Sequence, residues 1–408
     1  MTITVLAIGD DWLCPKSVTS DKHLLSILKL FRKQGWHVVY ASAAATDKEQ
    51  HFLDSDDIKT QSITINCDSF NDFAYRLSPH IVLFGGFIME EQFGWRVDKV
   101  CPNAVKILDT EELHCLSYSR QQAVLQERKV NKTDFFSHIA KREIAAIFRC
   151  DLALVLSPDE INLLQQQFQV PIYLLHHLPF LVDVDHISRP FIDYEHRQHF
   201  ISIGSFKHSP NWDAILKLKS LWPQIRQQIP NAECHIYTQS PIEKISELHH
   251  PDNNFYAKPY QESMNAYLAK ARLYLAPLRF GAGLKGKLLE AMQAGTPSIT
   301  TKIGSEGMHG DLPWPGYISH SDKEFIEAAV RLYVQKEQWI RAQQQGELLL
   351  KQLYDSKPLT IALIERIETL LKQLSQHRLN NFTGAMLKHH RHTSTQYLSQ
   401  WIAEKNRA

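Results

Sequence analysis

No apolar run in this sequence approaches the ~20 residues that a membrane-spanning helix needs, and no basic start followed by an apolar core marks a secretory leader. Cysteine is sparse. Cys14, Cys67, Cys101, Cys115, Cys150 and Cys234 are scattered, and no two form a CxxC pair. Zinc and thiol-redox motifs are therefore unsupported; the thiols read as small hydrophobes of a reducing, cytoplasmic compartment. Excess charge is also missing: the formal net charge is +1, so no global field recruits nucleic acid or an anionic membrane. An anionic ligand must be held by a local site. Asp10-Asp11 and Asp56-Asp57 are the only Asp-Asp pairs, and neither is placed as a metal-binding carboxylate pair. No metal is expected. Internal repeats and low-complexity blocks are absent as well.

What is present is alternation. Thr2–Ile8 is apolar and β-rich, His23–Arg32 carries a helical apolar pattern closed by Gly35, and Trp36–Ala41 reads as the next strand. Short apolar runs recur at Ile81–Phe84, Val105–Leu108 and Leu152–Leu156. Such runs, separated by helices, predict a parallel sheet covered on both faces. Periodicity lapses near Pro179–His199, where a linker is expected. The second half repeats the pattern, with strands at His199–Ile203, Glu233–Tyr237, Asn254–Tyr256, Leu273–Ala276 and Pro297–Thr301. Helices are expected at Trp212–Gln228, Ser263–Ala271 and Lys287–Ala294. The reading is an α/β chain of two Rossmann-like domains facing a cleft: residues 1–185, residues 196–355, and a helical return segment at 356–408. Ligands of open α/β sheets bind at the carboxyl ends of the strands.

The densest chemistry lies in residues 275–308, LAPLRFGAGLKGKLLEAMQAGTPSITTKIGSEGM. A strand runs into Gly281, Ala282 and Gly283, and a helix follows with Lys285 and Lys287 near its start. Backbone amides of a glycine loop and a helix N-terminus favour an anion. Cations oppose the dipole at that end of a helix, so two lysines there suggest a compensating diphosphate. Glu290 shares a face with Lys287. Its carboxylate suits the vicinal hydroxyls of a ribose; the same spacing also suits a Glu–Lys pair kept for solubility.

The run resembles the donor-site signature of GT-B glycosyltransferases of the family 4 type. Those enzymes carry G-x-G-x-K/R-x-K-x-x-E-A-M-x-x-G-x-P followed by G-x-E-G. Here the positions are Gly281, Gly283, Lys285, Lys287, Glu290, Ala291, Met292, Gly295 and Pro297, then Gly304, Glu306 and Gly307. The resemblance extends more weakly over about residues 75–350. It implies that Lys285 and Lys287 hold a donor diphosphate with Gly281 and Gly283, and that Glu290 holds the nucleotide ribose. Gly204 and Lys207, in the first loop of the C-terminal domain, would join the diphosphate site. Lys258 and Tyr260 lie where the base pocket is expected. Two departures stand out: Ala282 replaces a glutamate that often contacts the donor sugar, and the usual basic pair of the first loop is reduced to Lys207.

In the N-terminal half, residues 105–114 read VKILDTEELH, similar to the D-T-x-D-L-H segment of bacterial members. Asp109, Glu112 and His114 are the expected catalytic group, with His114 facing the donor sugar or carrying a proton. A histidine capping a strand end is the plainer alternative. Asp10 and Asp11, after Gly9, would contact the acceptor or simply cap their loop. Ser157-Pro158-Asp159-Glu160 reads as a helix start with Ser157 as N-cap.

The resemblance implies a retaining, metal-independent hexosyltransferase that uses a nucleotide-sugar and no cofactor. Its acceptor would be a glycan, a lipid-linked glycan or a small molecule, in cell-surface or secreted glycan synthesis. A GT-B protein that binds a nucleotide-sugar or glycan without turnover, and a nucleotide-sugar epimerase, are the alternative functions. At the tail, Leu359–Leu374 is expected to return to the N-terminal domain. From His377 onward five Lys/Arg (Arg378, Lys388, Arg391, Lys405, Arg407) face a single acid, Glu404. With Trp401 they offer peripheral contact to the inner membrane face, or dock on the chain itself.

Overall fold

The computed structural model describes residues 2–13, 19–45, 53, 56–187, 189–206, 208–239, 241–261 and 264–405. Cys14 and Arg407 lie outside them. The chain divides into two compact units. The first comprises residues 1–115, 132–181 and 357–408; the second comprises residues 116–131 and 182–356.

The first unit is built on a parallel sheet. Its strands are β1 (Thr4–Gly9), β2 (His37–Ser42), β3 (Lys59–Ser62), β4 (Ile81–Gly85), β5 (Val105–Asp109), β6 (Leu152–Val155) and β7 (Leu175–His177), in the order β3-β2-β1-β4-β5-β6-β7. Residues such as Val5, Ala7, Val38, Ile81, Leu83, Val105 and Ile107 are fully buried, as expected for strands covered on both faces. The second unit holds β8 (Gln198–Gly204), β9 (Cys234–Thr238), β10 (Phe255–Pro259), β11 (Ala271–Ala276), β12 (Ser298–Thr301) and β13 (Gly316–Ser319), also parallel, in the order β10-β9-β8-β11-β12-β13. Strand order reverses at β1/β4 in one sheet and at β8/β11 in the other. These switch points are where open α/β sheets place their ligands. The loops leaving β1, β8 and β11 are the ones that carry Asp10, Lys207 and the Gly281–Gly283 turn.

Three strands escape sequence periodicity for one reason. β3, β7 and β13 lie at sheet edges, so they are short and need no apolar run. The burial of β3, residues KTQS, is accordingly low.

The expected linker is ordered structure of the second unit. Arg197 is fully buried and donates to the Ile192 and Ala294 carbonyls at 2.8 Å, and to Thr296 Oγ1 at 2.7 Å. A buried guanidinium needs many acceptors, and the 190–197 segment wraps to supply one. Val182 bridges to Asp355, so the chain enters and leaves this unit side by side.

The tail returns to the first unit. The helix Ser356–Leu379 inserts Leu363, Ile367 and Leu370 into the core beneath β1 and β2. Arg378 donates to both Asp151 carboxylate oxygens, at 2.8 and 2.7 Å, and Arg96 reaches Ser399 Oγ at 2.9 Å. The last helix, Phe382–Lys405, leaves Leu379, Phe382, Tyr397, Leu398 and Trp401 at its start and along it well exposed. Among the described residues no helix is long and apolar enough to cross a membrane.

Truncating Ile367 to Ala should cost about 2–5 kcal/mol by removing buried methyl groups, seen as a lower urea midpoint by circular dichroism. Ile361→Ala on the same helix, 58% exposed, should stay within about 0.5 kcal/mol. Equal effects would mean that the returning helix does not share the core.

Candidate functional site

At the carboxyl end of β11 the chain must reverse into a helix. Gly281 (φ 131°) and Gly283 (φ 61°) lie in the left-handed half of backbone space, open to glycine at little cost. The turn brings Gly281 beside Pro210, near the start of the helix Ser209–Gln228; a Cβ there would sit 3.6 Å from the Pro210 ring. The loops after β8 and β11 thus adjoin.

The helix Gly286–Gln293 follows with Lys285 as its N-cap residue. Lys285 Nζ folds back to donate to the Ala282 and Gly283 carbonyls, both at 2.7 Å. These bonds offset the unfavourable meeting of a cation with a helix N-terminus. Two residues on, Lys287 Nζ lies 3.0 and 3.2 Å from the two Glu290 oxygens and 3.4 Å from Tyr260 Oη. The Lys287 and Glu290 side chains are only 18% and 17% exposed. A pair serving solubility would stand in solvent, so burial argues against that alternative. A cation, a carboxylate and a phenol converge in a half-buried position beside a glycine loop. That arrangement can receive phosphate oxygens and paired hydroxyls.

Of the other residues expected at the donor site, Gly204 ends β8 and packs tightly on the next helix; a Cβ there would fall 2.5 Å from Ile215 Cδ1. Lys207 lies outside the described residues. Tyr260 joins the Lys287 cluster, whereas Lys258 is turned to His235, its Nζ 3.5 Å from His235 Nδ1. Ala282 is buried.

Arg120 was not singled out by sequence. Its guanidinium makes a two-pronged pair with Glu306, at 2.6 and 2.7 Å, and donates to the Gly281 carbonyl at 2.8 Å. It ties the GSEG turn to the glycine loop, with geometry set by the planar fork. Only the matching position of Glu306 was visible beforehand, because its partner lies 186 residues away.

In the first unit, His114 begins the helix His114–Leu125, and two buried glutamates cap that helix. Glu143 Oε1 accepts from the His114 amide (2.9 Å) and lies 3.2 Å from its Nδ1, while Oε2 accepts from the Cys115 amide (3.0 Å). Glu160 Oε1 accepts from the Leu113 amide at 3.0 Å. Carboxylates belong at a helix N-terminus, whose amides lack partners. Burial alone would lower the His114 pKa, but the Glu143 hydrogen bond and charge, with Glu112 and Glu111, outweigh it and push it up to about 9. His114 is therefore held cationic near neutral pH by its pairing with Glu143.

Glu111, between these residues, has φ 58°, a position only sparsely open to a side chain of this kind. Burial and then the Asp109 charge, with Asp10 and Asp21, push its carboxyl up to about 8 despite His114. Asp109, expected in the catalytic group, is wholly buried. Its Oδ1 accepts from the Glu111 amide at 3.2 Å, and His23 Nε2 lies 3.8 Å away. The geometry makes Asp109 a positioning residue for the turn. Glu112 and His114 remain near the surface. Asp10 and Asp11 are exposed beyond β1; Asp11 Oδ1 accepts from the Trp12 amide at 2.8 Å, which is the loop-capping role. Ser157 stands at the N-cap of Pro158–Phe168 without a side-chain capping bond.

Residues 197–335 match the family described as Glycosyl transferases group 1. In sequence, no curated protein matches the chain. Among solved structures, Anabaena HepE in complex with UDP and glucose is similar with a TM-score of 0.69 at 11% identity, over 90% of this chain and 100% of that one. Sucrose-phosphate synthase from Thermosynechococcus elongatus is similar at 0.68 and 13% identity, over 90% and 99%. A point mutant of S. aureus TarM, in complex with Fondaparinux, alpha-GlcNAc-glycerol and UDP, is similar at 0.57 and 14% identity over 73% of this chain; that alignment spans only 58% of TarM. The second unit of this chain thus matches a group 1 glycosyltransferase domain over residues 197–335, and the fold is GT-B.

His114 is raised above its unfolded value near 6.5, so its stabilising contribution is complete below pH 6.5 and lost as pH rises through about 9. Glu111, also raised, shifts stability the same way from about pH 4.5 to 8. Melting temperature should therefore fall between about pH 6.5 and 9 in the wild type, and fall less in His114→Gln. A steeper fall in the variant would contradict the Glu143–His114 pairing.

Proposed function

We propose that the protein is a glycosyltransferase that moves a hexosyl group from a nucleotide-sugar to an acceptor hydroxyl with retention of anomeric configuration. The observation that carries this reading is the half-buried Lys287–Glu290–Tyr260 cluster on the first turn after the Gly281–Gly283 loop. It lies inside the matched glycosyltransferase domain. Lys285 and Lys287 would bind the leaving diphosphate. Fixed cations and amides at that point stabilise the charge that develops as the glycosidic bond breaks, so turnover needs no metal or cofactor. Glu290 would accept from the ribose hydroxyls. UDP is the first nucleotide to test, because the HepE and TarM structures hold it.

Arg120 is assigned a supporting role. Held by Glu306 and by the Gly281 carbonyl, it fixes the loop whose Ala282 stands where related enzymes place a sugar-binding glutamate. Glu112 and a protonated His114 would donate to or accept from the sugar or acceptor hydroxyls. The acceptor would be a glycan, a lipid-linked glycan or a small molecule, in cell-surface or secreted glycan synthesis on the cytoplasmic side. The exposed Phe382, Tyr397, Leu398 and Trp401 favour peripheral contact with a membrane, although Arg378 of the basic tail is taken up by Asp151.

UDP should raise the melting temperature of the wild type and not of Glu290→Ala. Lys285→Ala/Lys287→Ala should lose at least about 100-fold in turnover, the scale of removing transition-state charge stabilisation, and activity should persist in EDTA. Binding of UDP with no glycosylated product across an acceptor panel would favour the non-catalytic alternative. Arg120→Met should raise the donor KM more than it lowers kcat. Loss of kcat alone would remove Arg120 from donor positioning.

A further inference from the structure

At the other end of the second sheet, away from the donor loops, His199, Glu233 and His235 come together. His199 is the second residue of β8, and Glu233 and His235 flank Cys234 at the start of β9. Alternation along a strand sends Glu233 and His235 to one face and Cys234 into the core, where it is fully buried. Phe200 pairs with Cys234 in register, which sets His199 level with Glu233. The ligating atoms of all three residues lie within 4.8 Å of one another. His235 Nε2 is 2.7 Å from Glu233 Oε2 and His199 Nδ1 is 3.6 Å from it. The two imidazoles stack at 4.7 Å.

Three further observations point to a ligand. His199 has φ 64°, a conformation that is uncommon outside glycine and is often retained at functional positions. Its Nδ1 is buried and has no hydrogen-bond partner among the described residues. His199 also lines a cavity of about 780 Å³ that is shared with Asp193 and His196.

We propose that His199, Glu233 and His235 form a binding site for one divalent transition-metal ion of the zinc type, separate from the nucleotide-sugar site. Two imidazoles and a carboxylate are the donor set that such ions take in three-ligand sites, with the fourth position left to water. Zinc–nitrogen bonds of about 2.0–2.1 Å put tetrahedral ligands about 3.3 Å apart. The Glu233–His235 pair must open slightly and the widest pair must close, which side-chain rotation achieves. The ion would clamp β8 to β9 at the foot of the sheet.

Lys258 is the built-in competitor. Its ammonium lies 3.5 Å from His235 Nδ1 and 5.7 Å from the centre of the Tyr256 ring. With Lys258 in place, His235 Nδ1 accepts and Nε2 carries the proton toward Glu233. Metal at Nε2 moves that proton to Nδ1 and displaces the ammonium. Arg272, the other nearby cation, is turned to the Tyr194 and Arg197 carbonyls, at 3.1 and 2.6 Å.

The test is calorimetric titration of EDTA-treated, desalted full-length protein with Zn²⁺, and with Co²⁺ to read the coordination geometry from its visible absorption. His389, His390 and His392 offer a competing cluster in the sequence, so the titrations use a background with all three changed to Ala. One zinc should bind per chain and raise the melting temperature. His235→Ala and His199→Ala should each weaken binding at least tenfold while leaving the metal-free melting temperature within a few degrees. Glu233→Gln should weaken it too, and Lys258→Met should tighten it. UDP binding should be unchanged in His235→Ala, His199→Ala and Glu233→Gln, so failure here is distinguishable from failure of the donor site. Binding that vanishes with the tail histidines, or that is the same in His235→Ala, or no binding at all, would overturn the proposal.

Discussion

The proposed donor end of the second unit depends on one backbone constraint, the reversal at Gly281–Gly283. Two residues with positive φ let the chain leave β11 and start a helix immediately. That short reversal sets the phase of the helix, and the phase places Lys287 and Glu290 on one face toward Tyr260. Lys285 closes the turn by bonding to its carbonyls, and Arg120 holds it from outside. A side chain at either glycine would strain the reversal and shift every group behind it.

The first unit solves a related problem with opposite charge. The helix that begins at His114 meets Glu143 and Glu160, whose buried carboxylates take the amides of Leu113, His114 and Cys115. Burying a carboxylate is costly unless several donors converge on it. The helix terminus supplies them. The by-product is a histidine held protonated at neutral pH, next to a carboxyl, Glu111, held largely neutral.

Much of this was visible in the chain because it is local. The strands at Ile81–Phe84 and Val105–Leu108 announce themselves by burial on both faces. The helix after Gly283 is announced by glycines, lysines and Glu290 at fixed spacing. Edge strands such as β3 have no apolar face to show. Residues 116–131 join the second unit although they follow the first in sequence, and periodicity contains no information about such an exchange. Arg120, Glu143 and Arg197 act through partners far away in the chain, and a lone Arg or Glu carries no mark of its partner.

By itself, the sequence determined the α/β class, the two-fold repetition of the strand–helix pattern and the run of residues to which the donor chemistry is assigned in the proposed function. Each of these follows from near-neighbour rules: burial period, turn chemistry, and the face of a helix three residues apart. Only the tertiary structure decided which charges are paired and which are buried. It made Asp109 a buried support, raised His114 through Glu143, turned Lys258 toward His235, and brought His199 level with Glu233 and His235. The reason is physical. Pairing energies depend on distance and desolvation, and both are set by strand order and long-range packing, which no local pattern encodes.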